Sequence, residues 1–527
     1  MLPKSLSQRF AVGLVPAAFL LILLIAPVGR LLLEGGAGAL AGMFGPLWQD
    51  DYLRWRILWT FLQAALTCGL ALVLGLPVAW VLARYEFAGR SLVLRLLMLP
   101  FVVPTLVAAL GVLALWGPRG LLSGWLGFNL QGTPWLLLYG NLFFNLCVVV
   151  RAGVDALGQV SASRVAAART LGATPWRAFW RVEWPAIAPW LASALCLVFL
   201  YCFSGFGLAL ILGGQRFATV EVEIYTLVAH ELKIAEAGAL ALCMMLLNGG
   251  IAWLYALVEK RLATPSRADA IALRRPLTLR QRSAVVAALL VLLVFCAAPL
   301  LAIVLRTVLA GPAVLAVLLE EETRLALANT LRFSLSALAL ATVLGLTHAV
   351  AARHSVGLRA SAFLPFVVSP VTVAFGLLLL YPQWTASLSL LLAAYALLAY
   401  PFVAKSVGSA LDSLPAHLEQ AARSLGASSW RCFWRVTLPL VAPALRRGMA
   451  FAAATSLGEF AVTLFLSRPE WMTLTTLIYQ RLGRPGAANL DAALMLACLL
   501  MALSLTAFLL IEKTPGRSTL RKDALHA

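Results

Sequence analysis

Long apolar runs recur along the whole chain and are separated by short polar segments. Residues 11–29, 57–83, 96–118 and 188–214 contain no charged side chain, and about 20 apolar residues suffice for a helix to cross a bilayer. Twelve runs of this kind are present, with centres near Leu21, Leu70, Val107, Asn145, Leu200, Leu247, Leu293, Ala339, Leu377, Ala393, Ala453 and Ala502.

This pattern predicts an all-α integral membrane protein with about twelve transmembrane helices. Composition agrees, since 62% of the 527 residues are hydrophobic and 12% are charged, against about a quarter charged in a soluble domain. The mean hydropathy is +0.92. A large soluble all-α core is the alternative, which twelve such runs disfavour. The boundary between the ninth and tenth runs is the least defined.

The first apolar run has two interpretations. Lys4 and Arg9 precede it, and the "AGA" at residues 37–39 imitates a signal-peptide cleavage site. Its apolar core is longer than the usual 7–15 residues of a signal peptide. We therefore favour an uncleaved membrane anchor.

The formal net charge of +19 indicates an orientation in the membrane rather than nucleic-acid binding. If the N-terminus is cytoplasmic and twelve spans alternate, most Lys and Arg residues lie on the cytoplasmic side, as the positive-inside rule requires. Both termini and the linker after the sixth run are then cytoplasmic. Acidic residues fall mainly outside, namely Asp50, Asp51, Glu221, Glu223 and Glu320–Glu322.

One basic, tryptophan-rich segment occurs twice. "AARTLGATPWRAFWRVEWP" at residues 167–185 returns as "AARSLGASSWRCFWRVTLP" at 421–439, and 15 of 24 positions are identical between 166–189 and 420–443. Upstream, "LPFVVP" at Leu99 matches "LPFVVSP" at Leu364. The chain is therefore an internal duplication.

Six spans per half give both halves the same orientation, as in parallel repeats that enclose a transport pathway. Structural duplication without transport is the alternative. The predicted units are an anchor helix with its outer loop (1–52), a first repeat (53–259), a basic linker with an extra helix and outer loop (260–323), a second repeat (324–512) and a basic tail (513–527).

Each repeated segment is predicted to form a short amphipathic helix on the cytoplasmic side. Thr174 can cap the first with Pro175 at its first position, and Ser428 or Ser429 can cap the second. Gly172 allows a tight turn before the cap, and Pro185 is expected to end the helix. Aromatic residues share one face and arginines another.

Two interpretations of these helices compete. They lie flat on the bilayer with their aromatic faces down, or the aromatic faces fill grooves on a cytoplasmic partner. Two copies in register favour a two-fold partner.

The "AARxLGA" pattern followed by a proline resembles the EAA loop of ABC importer permeases, over residues 53–259 and 324–512. The resemblance implies a type I importer permease in the bacterial inner membrane. Its partners would be two copies of a separate cytoplasmic ATPase and a periplasmic binding protein, with no cofactor. The implied ATPase-coupling residues are Ala167, Ala168, Arg169, Gly172, Trp176, Arg177, Phe179, Trp180 and Arg181, and Ala421, Ala422, Arg423, Gly426, Trp430, Arg431, Phe433, Trp434 and Arg435.

The sequence departs from the EAA pattern at its leading glutamate. Ala166 and Gln420 stand at that position, and Glu419 lies one residue earlier. Any contact that depends on this glutamate is therefore in doubt.

Two further segments, "TLIYQ" at 476–480 and "IEKTPGR" at 511–517, are similar to the permeases of thiamine and thiamine pyrophosphate importers. The iron(III) importer permeases are the alternative with the same architecture. A secondary transporter driven by an ion gradient is the alternative of another class. It would need a relay of intramembrane acids or histidines, for which His348 is a candidate, although a packing role is favoured.

Several motifs are absent or misleading. The chain contains no Gly-Lys pair, so it has no P-loop for ATP. "ILGGQRF" at 211–217 imitates an ATPase signature but is expected to be an outer turn. The eight cysteines are scattered without C-x-x-C spacing, which predicts neither disulfides nor a metal site.

The candidate pathway residues are Glu459, Pro100, Pro104, Pro365 and Pro370. Glu459 interrupts the eleventh run, and an intramembrane carboxylate indicates a functional site by default. A cationic substrate would suit it, but a packing or gating role is equally compatible. The paired prolines interrupt the third and ninth runs at matching positions, which indicates either a pathway or simple kinks.

Overall fold

The computed structural model describes residues 6–36, 49–260, 271–353, 355–385, 387–466 and 468–512. This part of the chain is built from helices, with one isolated bridge between Tyr85 and Arg274. The candidate cleavage site at 37–39, the linker residues 261–270 and the tail 513–527 lie outside the described residues.

All twelve predicted runs form helical elements. Ten of the described helices are long and apolar enough to cross a membrane, and an eleventh element is a helix pair bent by 95°. The run near Ala453 forms a helix of 20 residues whose hydropathy is lowered by Arg446 and Arg447. In chain order the elements are α1 Gly13–Leu33, α2 Asp51–Arg84, α3 Thr105–Leu126, α4 Pro134–Leu157, α5 Trp184–Phe203, α6 Ile234–Leu254, α7 Leu279–Leu309, α8 Glu321–Ala352, α9 Gly357–Val367 with Pro370–Leu380, α10 Leu388–Asp412, α11 Leu438–Leu457 and α12 Ala487–Ile511.

The duplication extends to hydrogen bonds between elements. The short helix Val220–Ala229 recurs as Leu474–Gly483 in the second half. Its first N–H donates to the hydroxyl of Thr60 at 3.0 Å, and the first N–H of the second copy donates to the hydroxyl of Thr330 at 2.9 Å. Each half therefore attaches the same short helix to its second span in the same way.

The first helix of each half packs on the opposite half. In α1, Pro27 lies so close to Gly376 of α9 that a Cβ on this glycine would be 3.0 Å away. In α7, the carbonyl oxygen of Pro299 lies 2.6 Å from the Cβ position of Gly111 in α3. Glycine permits these close approaches because it has no side chain. The two halves are thus interlocked by exchanged helices.

Candidate translocation site and coupling segments

Two coupling segments, defined as residues 175–183 and 429–437, begin as predicted. The hydroxyl of Thr174 accepts a hydrogen bond from the N–H of Arg177 at 3.3 Å. In the second half Ser428, rather than Ser429, accepts from the N–H of Arg431 at 3.3 Å. A hydroxyl at this position satisfies one of the free N–H groups at the start of a helix.

A left-handed glycine precedes each cap. Gly172 and Gly426 have φ of +83° and +82°, a conformation that L-residues with a Cβ adopt only at a cost. The preceding Leu171 and Leu425 are each 88% exposed. The glycines therefore turn the chain sharply and leave a large apolar side chain on the surface in both halves.

The prediction that Pro185 ends the first coupling segment is wrong. A π-helical turn spans Phe179–Glu183, and the N–H of Trp184 reaches the carbonyl of Phe179. The helix then continues into α5. Proline removes one hydrogen bond and crowds the preceding turn, and a π turn accommodates such a disturbance without ending the helix. The segment is therefore a direct extension of its span.

Much of the aromatic surface of the coupling segments is exposed. The exposed fractions are 69% for Trp176 and 42% for Trp180, against 70% and 47% for Trp430 and Trp434. The two rings of each pair contact each other, with centroids 5.5 Å and 5.4 Å apart. Exposed tryptophans of this kind occur both at membrane–water interfaces and on protein-binding surfaces.

An ion pair attaches each coupling region, defined as a coupling segment together with the short helix before it (Ala162–Thr170 or Ala416–Ser424), to the second span of its half. Arg84, at the end of α2, lies 2.6 Å from the carboxylate of Glu183. Arg353, directly after α8, lies 2.9 Å from the carboxylate of Glu419. Partial burial by itself would raise the pKa of Glu419, but the hydrogen bond and charge of Arg353 hold this pKa below its usual value. The carboxylate of Glu419 is therefore charged at neutral pH.

A cavity of about 300 Å³ lies between the two halves. Near it, the rings of Phe206 and Phe460, which occupy matching positions in the repeats, stack with centroids 6.0 Å apart. Several aromatic side chains line the cavity, namely Phe101, Phe144, Tyr201, Phe206, Phe366, Phe402 and Phe460.

Of the candidate pathway residues, four line this cavity: Glu459, Pro104, Pro365 and Pro370. Pro100 is buried beside it and is not part of the lining. The prolines lie at breaks in the helices, and α9 bends by 95° at this point. The breaks place backbone turns at the cavity wall.

Glu459 lies between two helices rather than inside one. It follows α11 and precedes the short helix Ala461–Leu466. One carboxylate oxygen accepts a hydrogen bond from the N–H of Val462 at 3.0 Å, and the hydroxyl of Thr475 donates to the Glu459 carbonyl at 3.0 Å. The interruption frees N–H groups that stabilise a carboxylate at a helix N-terminus.

The wall of the first half contributes amides that the sequence reasoning missed. Asn141 and Asn145 line the cavity, and Asn141 donates to the side chain of Gln63 at 2.7 Å. The side-chain oxygen of Asn145 is buried and has no hydrogen-bond partner within the described part of the chain. The matching positions of the second repeat are Tyr395 and Ala399. Comparison of the repeats could therefore have shown that these two amides are particular to the first half. The cavity is therefore chemically asymmetric.

Glu221 and Glu223, two of the acids expected on the outer side of the membrane, have buried side chains. Glu221 is fully buried, and the hydroxyl of Ser369 in the other half donates to it at 2.6 Å. Glu223 is buried beside Arg56 at 3.4 Å. The rest of their segment is mainly apolar, and the residue of the second repeat that aligns with Glu223 is a leucine. This pattern could have indicated that the two glutamates are buried.

The remaining candidate motifs are His348, the "GGQ" segment and the cysteines. The ring of His348 lies 2.6 Å from the carbonyl oxygen of Leu358 and 5.7 Å from the ring centroid of Tyr400, and it does not line the cavity. The "GGQ" residues form the predicted turn, in which the carbonyl of Gln215 accepts from buried Arg56 at 2.6 Å. The eight cysteines are all free.

Comparison with known proteins agrees with this architecture. The family described as "Binding-protein-dependent transport system inner membrane component" matches residues 71–264 and 355–512, which is more than half of the chain. The chain belongs to this family. It is a membrane permease with the family unit present twice.

Relatives of similar length exist for this permease. It is 29% identical to the "Thiamine transport system permease protein ThiP" of Salmonella typhimurium over 527 residues, which covers 96% of each chain. It is also 29% identical to the ThiP of Escherichia coli, over 90% of this chain and 91% of that one. A solved bacterial alginate ABC transporter chain is similar at 18% identity, covers 49% of this chain and 96% of that chain, and gives a TM-score of 0.42.

Proposed function

We propose that this permease carries thiamine, or its phosphate esters, from a periplasmic binding protein into the cytoplasm. The observation that best supports this proposal is the cavity between the halves, where the carboxylate of Glu459 lies among aromatic rings. Thiamine joins a cationic thiazolium to an aromatic pyrimidine. A cation over an aromatic ring gains about 0.5–2 kcal/mol, depending on its hydration, and a carboxylate adds charge complementarity. The similarity to thiamine permeases over nearly the whole chain supports the same substrate.

The energy is proposed to come from two copies of a separate cytoplasmic ATPase. The permease itself has no P-loop, and its duplicated coupling segments present matching tryptophans on the surface. Each segment runs without interruption into α5 or α11, so a displacement of the segment moves a helix that continues to the cavity wall. The exposed aromatic faces are proposed to fill grooves on the ATPase rather than to lie on the bilayer. This orientation places both termini in the cytoplasm.

Reconstitution tests the proposal. The permease, its ATPase and its binding protein are placed in proteoliposomes, and labelled thiamine is followed with and without ATP. We expect ATP-dependent accumulation that unlabelled thiamine competes with. Accumulation without the ATPase would support a secondary transporter, and the absence of competition by thiamine or its phosphates would refute the substrate assignment.

A further inference from the structure

The two coupling regions use a glutamate from different positions of the repeat. In the first half Glu183, the last residue of the coupling segment, meets Arg84. In the second half Glu419, from the preceding helix Ala416–Ser424, meets Arg353. The repeat offset of 254 places Val165 opposite Glu419 and Thr437 opposite Glu183. Each half thus has one carboxylate where the other half has none.

In the second half, a hydrogen bond links Glu419 to the coupling segment. The hydroxyl of Thr437 donates to the same oxygen of Glu419 that meets Arg353, at 3.2 Å. The coupling segment is therefore connected to the arginine in both halves: directly through Glu183 in the first, and through Thr437 and Glu419 in the second.

Burial makes these pairs more than ordinary surface ion pairs. The side chains of Arg84 and Glu183 are 11% and 9% exposed, and those of Arg353 and Glu419 are 21% and 20% exposed. Exposed ion pairs contribute little because water and salt screen them, whereas removing one partner of a buried pair leaves an uncompensated charge. The nearby pair Arg151–Asp155, at 46% and 52% exposed, provides a matched exposed control.

We propose that Glu183 and Glu419 are positioning residues that connect the coupling segments to α2 and α8 during ATP-driven transport. The inference rests on the proposed function. Each segment is joined covalently to α5 or α11, and the ion pair supplies its second attachment, to the second span of the half. Motion imposed by an ATPase then reaches two spans together. Without the pair, the segment moves α5 or α11 alone, so ATP is hydrolysed with less transport.

The test measures transport per ATP in proteoliposomes that hold the complete importer. We expect Glu183→Gln to lower this ratio on the order of tenfold, within the range by which residues along a coupling network alter it. Glu419→Gln should lower it less, because its site is more exposed. The amount of assembled complex should stay close to wild type, because glutamine keeps the size of glutamate and its side-chain oxygen can still accept a hydrogen bond from Arg84 or Arg353. Asp155→Asn should leave the ratio unchanged.

A relocation variant separates a specific attachment from general stabilisation. Glu183→Thr combined with Val165→Glu gives the first half the arrangement of the second, and we expect it to recover most of the ratio lost in Glu183→Thr alone. Failure of that recovery, or a normal ratio in Glu183→Gln, would overturn the inference. A loss of complex and hydrolysis in parallel with transport would also overturn it. Absence of ATP-driven uptake by the wild type would instead refute the proposed function.

Discussion

Replacement of the two left-handed glycines should weaken coupling through backbone strain alone. A Cβ built on Gly172 or Gly426 meets no heavy atom within 4 Å, so a new side chain causes no clash. The φ values of +83° and +82° remain, and an L-residue in this region costs about 1–2 kcal/mol. Since about 1.4 kcal/mol is tenfold in an equilibrium constant, each substitution should lower the equilibrium constant for forming the native turn roughly five- to thirtyfold.

Three different substitutions at these glycines test whether backbone strain is the cause. We expect valine to be most harmful, alanine intermediate and asparagine mildest, because asparagine tolerates the left-handed region. Separate sites add approximately, so the double valine variant should be the most severe.

The assay for this series is co-purification of the ATPase together with thiamine uptake, normalised to the permease in the membrane. We expect membrane insertion to stay normal in every variant. Equal losses from asparagine and valine, or full transport in the double valine variant, would refute the reasoning.

Three further predictions follow from the structure. Because the charge of Glu459 is proposed to assist a cation, Glu459→Gln should lose thiamine uptake at normal expression; normal uptake would instead indicate a packing role. Impermeant thiol labelling should reach a cysteine placed at Gly127 and miss one at Gln159 in intact cells; the reverse pattern would contradict the cytoplasmic N-terminus. Gly111→Ala should lower thermal stability, since its Cβ would lie 2.6 Å from a backbone carbonyl of α7 and overpacking costs about 1–3 kcal/mol. Gly69→Ala, whose Cβ position is open, is the control, and equal melting temperatures would contradict the packing argument.

The sequence by itself determined the helical elements, the duplication and the way in which each coupling segment begins. Apolar run length is a local property, and so are the cap at Thr174 and the turn at Gly172, because their hydrogen bonds and dihedral angles involve residues only a few positions apart. The repeat offset also aligns Phe206 with Phe460 and Gly205 with Glu459.

Tertiary structure alone decided which distant residues meet. Periodicity does not state that α1 and α7 pack on opposite halves, since that depends on the close approach of Pro27 to Gly376 and of Pro299 to Gly111. Nor does it state that Glu221 meets Ser369, because this contact joins residues of different halves that lie 148 positions apart in the chain. The same holds for Glu183 and Glu419. The repeat alignment shows only that each of these acids lacks an acidic counterpart in the other half. The structure shows that both contact an arginine at the end of the second span of their half.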